Sequence, residues 1–199
     1  MPLSQEHKQQ SRANIIEAAR ILFNRHGFAG VTIDMVMKKV GLTRGGFYNH
    51  FKNKEGLYSE AVSSFLMGRG LKWRTEAGID PNCPGPEMAR HMLQSYLSAE
   101  HLADIDGQCP MIALPSDVAR SSLEVQSSYQ ELLEAMVWLF ETNLAQHGVQ
   151  ARQNALTLSA LCVGGMILAR TLPNSSLVEE IRATIQLSSV EILENYVPK

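Results

Sequence analysis

A chain of 199 residues, 45% hydrophobic and 19% charged, can bury one or two cores. It is too short for a large multidomain machine and too apolar for a disordered or collagen-like segment. Its formal net charge of −2 conceals an imbalance: residues 1–60 hold nine Lys and Arg against five Asp and Glu, whereas residues 61–199 hold nine against fifteen. A basic opening segment on an acidic remainder suits a protein of which one end meets a polyanion and the other does not.

The polar start MPLSQEHKQQ lacks the apolar run of a signal peptide, and the most apolar stretch, LSALCVGGMILA, stops short of a membrane span. Cys83, Cys109 and Cys162 are widely spaced and odd in number, as expected of reduced thiols, and no CxxC pair offers a metal site. The expectation is a cytoplasmic protein without membrane, metal or cofactor.

In chain order, Ile15, Ile16, Ala19, Leu22 and Phe23 recur at helical spacing over Gln5 to His26, with Gly27 as the stop. Thr32 can cap a second helix, Ile33 to Val40, ended by Gly41. Thr43 can cap a third, running to Asn49, whose two glycines make it dependent on packing by Leu42, Phe47 and Phe51. Asn53 caps a longer helix carrying Leu57, Ala61, Phe65 and Leu66 towards Trp73.

After the turn formers of residues 78–86, Met88, Met92, Leu93, Tyr96 and Leu97 mark another helix that ends near ADIDGQ. Pro110 opens a short helix through Leu114, limited by Pro115. A long helix through Leu132, Met136, Phe140 and Leu144 stops around Gly148, and two more, Ala151 to Leu172 and Leu177 to Tyr196, complete the chain. No segment alternates with the period of a strand. The fold class is therefore all-α with about nine helices, divided into a three-helix domain at 1–53 and a larger helical domain at 54–199.

Residues 28–57 place two short helices around a glycine turn, an arrangement that can set one helix across a phosphate backbone and the next in a major groove. If Phe47 and Phe51 face the core, then Thr43, Arg44, Gly45, Tyr48 and Asn49 must in part face outward. Arg44 can donate two hydrogen bonds to a guanine edge, and a glycine at 45 or 46 allows close approach. Thr32, Thr43, Tyr48, His50, Lys52 and Lys54 suit phosphate oxygens.

Residues 11–57 resemble the DNA-binding domain of the TetR/AcrR family of bacterial transcriptional regulators. The pattern is carried by Gly27, Phe28 and Thr32, then by Gly41, Leu42, Thr43, Phe47, Tyr48, Phe51, Lys54, Glu55 and Leu57. The resemblance implies a helix-turn-helix head on a larger regulatory domain. It further implies a homodimer on a near-palindromic duplex operator, and a ligand that moves the fourth helix to change the separation of two heads. Met37 and Val40 stand where the family often has alanine, which predicts a slightly wider seat for the second helix unless nearby glycines supply room.

In the larger domain, Phe65, Met88, Met92, Tyr96, Met111, Met136 and Phe140 can line an adaptable apolar cavity for a small, apolar effector. His91, Tyr96, Cys109 and Asn143 would be its hydrogen-bonding points. The last two helices carry broad apolar faces that a second copy could cover, with Leu161, Gly165, Leu168 and Leu172 on one and Ile181 and Ile185 on the other. No HExxH element, nucleotide loop or paired Glu-x-x-His signature points to catalysis. The expected role is a regulator with three partners: double-stranded DNA, a second copy of itself and a small molecule.

Overall fold

The computed structural model describes residues 5–80, 82–145 and 147–194, and all regular structure among them is helical. Twelve helical segments follow one another: α1 (Gln5–Gly30), α2 (Ile33–Lys39), α3 (Arg44–Phe47), α4 (Lys54–Met67), α5 (Arg69–Glu76), α6 (Pro86–Tyr96), α7 (Ala99–Ala103), α8 (Pro110–Ala113), α9 (Pro115–Val118), α10 (Leu123–Asn143), α11 (Val149–Thr171) and α12 (Ser176–Glu194). The all-α class is as expected. The three additional segments have local causes: Gly68 ends α4 before Trp73, Ser98 caps the short α7 by accepting from the His101 N–H, and Pro115, which limits α8 as expected, also opens α9. Helix α10 also begins earlier than the apolar spacing from Leu132 suggested.

Two compact units emerge from the packing. The first runs to Arg69 and resumes at Ile105–Glu131; the second comprises Gly70–Asp104 and the chain from Leu132 onward.

In the first unit, α1 and α4 lie side by side and α2 and α3 close over one end. The core holds Ile15, Ala19 and Phe23 of α1, Val36 and Met37 of α2, Phe47 and Phe51 around α3, and Leu57, Tyr58 and Val62 of α4, joined by Leu114, Val118 and Val125. Phe23, Phe28 and Tyr58 stack at its centre, with the Phe23 and Tyr58 rings 4.7 Å apart. Burial pushes the Tyr129 phenol up to about 12, and its hydroxyl donates to the Met111 carbonyl. Met37 is fully buried, and its terminal methyl lies 3.7 Å from where a Gly46 Cβ would stand, an ordinary contact distance.

Helix α1 leaves helical geometry at Gly27, where φ is 68° and ψ 174°. Polar groups then tie α1 to residues 105–121. The Phe28 N–H donates to Asp117 Oδ2 at 2.8 Å, the Asn24 amide to the Gln108 carbonyl at 2.7 Å, and Arg25 pairs with Asp106. The Arg25 hydrogen bond holds the Asp106 carboxyl below the usual carboxylate range.

In the second unit, α11 packs along α12, and α12 meets α6. Helix α11 is long and apolar enough to cross a bilayer by length and composition, yet Ala155, Leu158, Cys162 and Met166 are buried within the unit. It packs tightly on α12 at Gly165, where any Cβ would run into Ile185. Trp73, Tyr96 and His101 form an aromatic cluster, in which His101 Nδ1 lies 2.7 Å from the Tyr96 carbonyl.

Candidate nucleic-acid interface

The reading surface is built by sequence-local rules on a buried aromatic floor. Phe47 and Phe51 are buried with ring centroids 5.5 Å apart. Between them the chain turns out, leaving Tyr48 57% exposed and Asn49 exposed. The Tyr48 ring stands edge-on against Phe47, so its hydroxyl projects from a fixed base. Thr43, Arg44 and Gly45 are exposed at the start of α3, and nothing lies within 4 Å of where a Gly45 side chain would begin. Helix α3 is one turn long, and residues 48–50 continue as turns rather than as the helix expected to Asn49.

Each expected polar contact has a definite place. Thr32 caps α2 by accepting from the Met35 N–H at 3.2 Å, and Asn53 caps α4 by accepting from Gly56 N–H at 2.8 Å. Thr43 makes no side-chain capping bond, contrary to expectation, so its hydroxyl is not occupied by the helix start. Lys52 is exposed. Lys54 corrects the sequence reading: its ammonium donates to the carbonyls of Phe28 (2.8 Å) and Val31 (3.0 Å) and sits 4.1 Å from the Phe28 ring centre. It closes the connection between α1 and α2 rather than facing a phosphate, because two carbonyls left over after the Gly27 break need a donor.

His50 is half-buried. Burial, with the charges of Lys8 and Arg12, lowers its imidazole below the ordinary value. Lys8, Ser11, Asn49 and His50 line a shallow hollow of about 250 Å³. Thus the start of α1 belongs to this surface, which the helical spacing of α1 did not reveal. The charge excess of residues 1–60 was the available signal. Arg12 is drawn inward, 4.8 Å from the Phe51 ring centre and paired with Glu60.

Arg44 Nη1 donates to Asp34 Oδ2 of α2 at 2.6 Å. The charge and hydrogen bond of Asp34, with Tyr48 beside it, raise the Arg44 guanidinium above its ordinary value. Arg44, expected from the sequence to face a base edge, thus carries an acidic partner from α2.

The model of bacterial regulatory proteins of the tetR family matches residues 15–61, the segment carrying these groups. Over 181 residues the chain is 27% identical to the HTH-type transcriptional regulator LmrA of Bacillus subtilis (strain 168), covering 88% of this chain and 94% of that protein. Residues 15–61 thus carry the segment that defines the tetR family of bacterial regulatory proteins, and the chain is similar to such regulators over most of its length. The regulator AcrR of Shigella flexneri is 23% identical over 171 residues, 82% of this chain and 80% of AcrR. The crystal structure of reduced NemR from E. coli superposes with a TM-score of 0.76 at 16% identity, covering 95% of this chain and all of that one, which shows that the TetR fold extends beyond the head.

The residues expected to hold an effector are distributed over both units. Phe65, Cys109 and Met111 are buried in the first unit; Met92, Tyr96, Met136, Phe140 and Asn143 are buried in the second, with Met88 half-buried. His91 is exposed on α6, on the side away from Met92 and Tyr96. Asn143 has a structural use: its carbonyl accepts from the Gly85 N–H at 2.8 Å while its amide donates to the Leu139 carbonyl at 2.7 Å.

Of the residues expected to meet a second copy, Leu168 is 55% exposed and Leu161, Leu172 and Ile181 are half-buried. Gly165 and Ile185 pack on each other within the chain, a correction that follows from the close crossing of α11 and α12. Leu156, Leu177 and Leu187 are further exposed leucines of these two helices. Among the described residues, no three His, Cys, Asp or Glu side chains are placed to hold a metal ion.

Proposed function

We propose that this chain is a cytoplasmic, ligand-responsive repressor that binds a near-palindromic operator as a homodimer and is released by a small, apolar molecule. The observation that carries the reading is the exposed group Thr43, Arg44, Gly45, Tyr48 and Asn49, raised on the buried pair Phe47 and Phe51 within the family's reading segment. Donors on a rigid aromatic base can be brought to base edges without reorganising the head. Lys52, His50 and Thr32, with Lys8 of α1, flank them at the positions where phosphates would run. DNA contact is assigned to residues within 1–53 of the first unit, and effector control and pairing to the second unit. No catalytic step or cofactor is part of the reading.

Pairing follows from exposed leucines on α11 and α12, which a second copy would cover, joining two heads so that the second contact is intramolecular. The buried methionine and aromatic side chains of the second unit are the candidates for effector contact, Met92, Tyr96, Met136 and Phe140 foremost. Fluorescence anisotropy with duplexes from the DNA upstream of the protein's own coding sequence tests the proposal. Binding should weaken steeply with salt and fall in Arg44→Ala and Tyr48→Phe while circular dichroism stays unchanged. Equal affinity for upstream and scrambled duplexes at every salt concentration would refute it.

A further inference from the structure

We propose that Asp34 is a specificity-determining residue, which holds the Arg44 guanidinium so that it reads a base edge rather than a phosphate. This inference rests on the DNA-binding reading above and adds to it a residue of α2 that the family pattern does not mark.

Asp34 stands in the first turn of α2 and Arg44 opens α3, and their side chains meet at 2.6 Å while remaining 56% and 60% exposed. An exposed ion pair of this kind contributes little to stability. A carboxylate on a surface that approaches a polyanion also repels it, so the pair needs another physical account. An unpaired arginine on such a surface is drawn to the nearest phosphate, since long-range attraction to the backbone exceeds any preference among bases. Asp34 cancels that long-range attraction and leaves the directional donors in place. Asp34 accepts a single hydrogen bond, from Nη1, and Tyr48 stands beside the same guanidinium, so of its five N–H donors enough remain for the two acceptors of a guanine edge. The tether also removes side-chain freedom before binding, which is preorganisation of the reader. Arg44 is further confined by Tyr48, whose ring is fixed on Phe47.

The pairing makes the effect of removing Asp34 counterintuitive. Loss of an acidic group should raise affinity for arbitrary duplexes and steepen the salt dependence, because Arg44 becomes a phosphate-binding cation, adding about 0.9 to the log–log slope per head. At the same time, preference for guanine at one position in each half-site should drop about tenfold. The full-length wild type, Asp34→Ala, Asp34→Asn and Arg44→Ala are each incubated with a pool of duplexes carrying a randomised core, and the bound fractions are sequenced. Circular dichroism verifies folding of each protein.

The expected result is a wild-type motif in which Asp34→Ala and Arg44→Ala relax the same base position, with Asp34→Asn, which keeps an acceptor oxygen but loses the charge, relaxing it less than Asp34→Ala while steepening the salt dependence as Asp34→Ala does. An Asp34→Ala motif identical to that of the wild type overturns the inference and leaves the DNA-binding reading intact. So does a uniform loss of affinity for all duplexes with base preference preserved, the signature of an acid that merely supports the start of α2. A wild-type chain that enriches no motif refutes the DNA-binding reading itself.

Discussion

Replacing Gly27 by alanine is expected to destabilise the first unit by two separable effects. With φ at 68° and ψ at 174°, a backbone region essentially restricted to glycine, an L side chain at this position costs about 1–3 kcal/mol. Independently, the new Cβ would lie 2.6 Å from Asp117 Oδ2, closer than carbon and oxygen come, so the carboxylate must withdraw from the Phe28 N–H that it now accepts at 2.8 Å. A hydrogen bond to a charged group contributes about 1.5–3 kcal/mol. The two together amount to about 2.5–6 kcal/mol, a large part of a typical domain's stability. Gly41→Ala is the internal control: its φ is 71° but nothing lies within 4 Å, so only the conformational cost of about 1–2 kcal/mol applies. Urea denaturation followed by circular dichroism measures both, and a cycle with Asp117→Ala isolates the carboxylate's share. Equal losses for Gly27→Ala and Gly41→Ala would refute the steric reasoning, as would strict additivity between Gly27→Ala and Asp117→Ala.

Lys54→Met should lower stability by about 1–3 kcal/mol, since the Phe28 and Val31 carbonyls lose a charged donor, while the salt slope of DNA binding stays as in the wild type; a shallower slope would return Lys54 to the phosphate-contacting set. Leu168→Glu should give a folded chain of half the mass in light scattering, and a persistent dimer would remove Leu168 from the pairing face. Because Arg25 holds the Asp106 carboxyl below its ordinary value, the unfolded chain binds the proton first. The stabilisation is therefore complete above about pH 4 and is lost as the pH falls through the folded value. The stability difference between wild type and Asp106→Asn should accordingly narrow on acidification below that point, and a constant difference down to pH 2 in urea titrations would contradict the pairing.

What could be read from the sequence was local. The spacing of Ile15, Ala19 and Phe23, the stop at Gly27, the caps at Thr32 and Asn53 and the buried pair Phe47 and Phe51 all depend on neighbours within a few residues, and all reappear in the structure. Partnerships between distant residues were not legible. Nothing within five residues of Lys54 signals the two carbonyls that hold it, nor does anything near Arg44 signal an acid ten positions earlier on another helix. The same limit explains Asn143, occupied by Gly85 across 58 residues, and Gly165, whose apparent place on an outer face is filled by Ile185. The early start of α10 escaped notice because its first turns carry Val125, Ser128 and Tyr129, a mixed face. Its burial comes partly through polar bonds: Ser128 to Ser59 and Tyr129 to Met111.

The bonds from Asn24, Arg25 and Phe28 to residues 106–117, and the presence of Leu114, Val118 and Val125 in the core of the first unit, mean that a fragment cut after the third helix would lack part of its own interior. Transplanting this head onto another regulator would require carrying a second, non-adjacent piece of chain along with it. Shuffling between relatives at a single crossover is thereby penalised, because the interior of the head is drawn from both sides of residues 70–104.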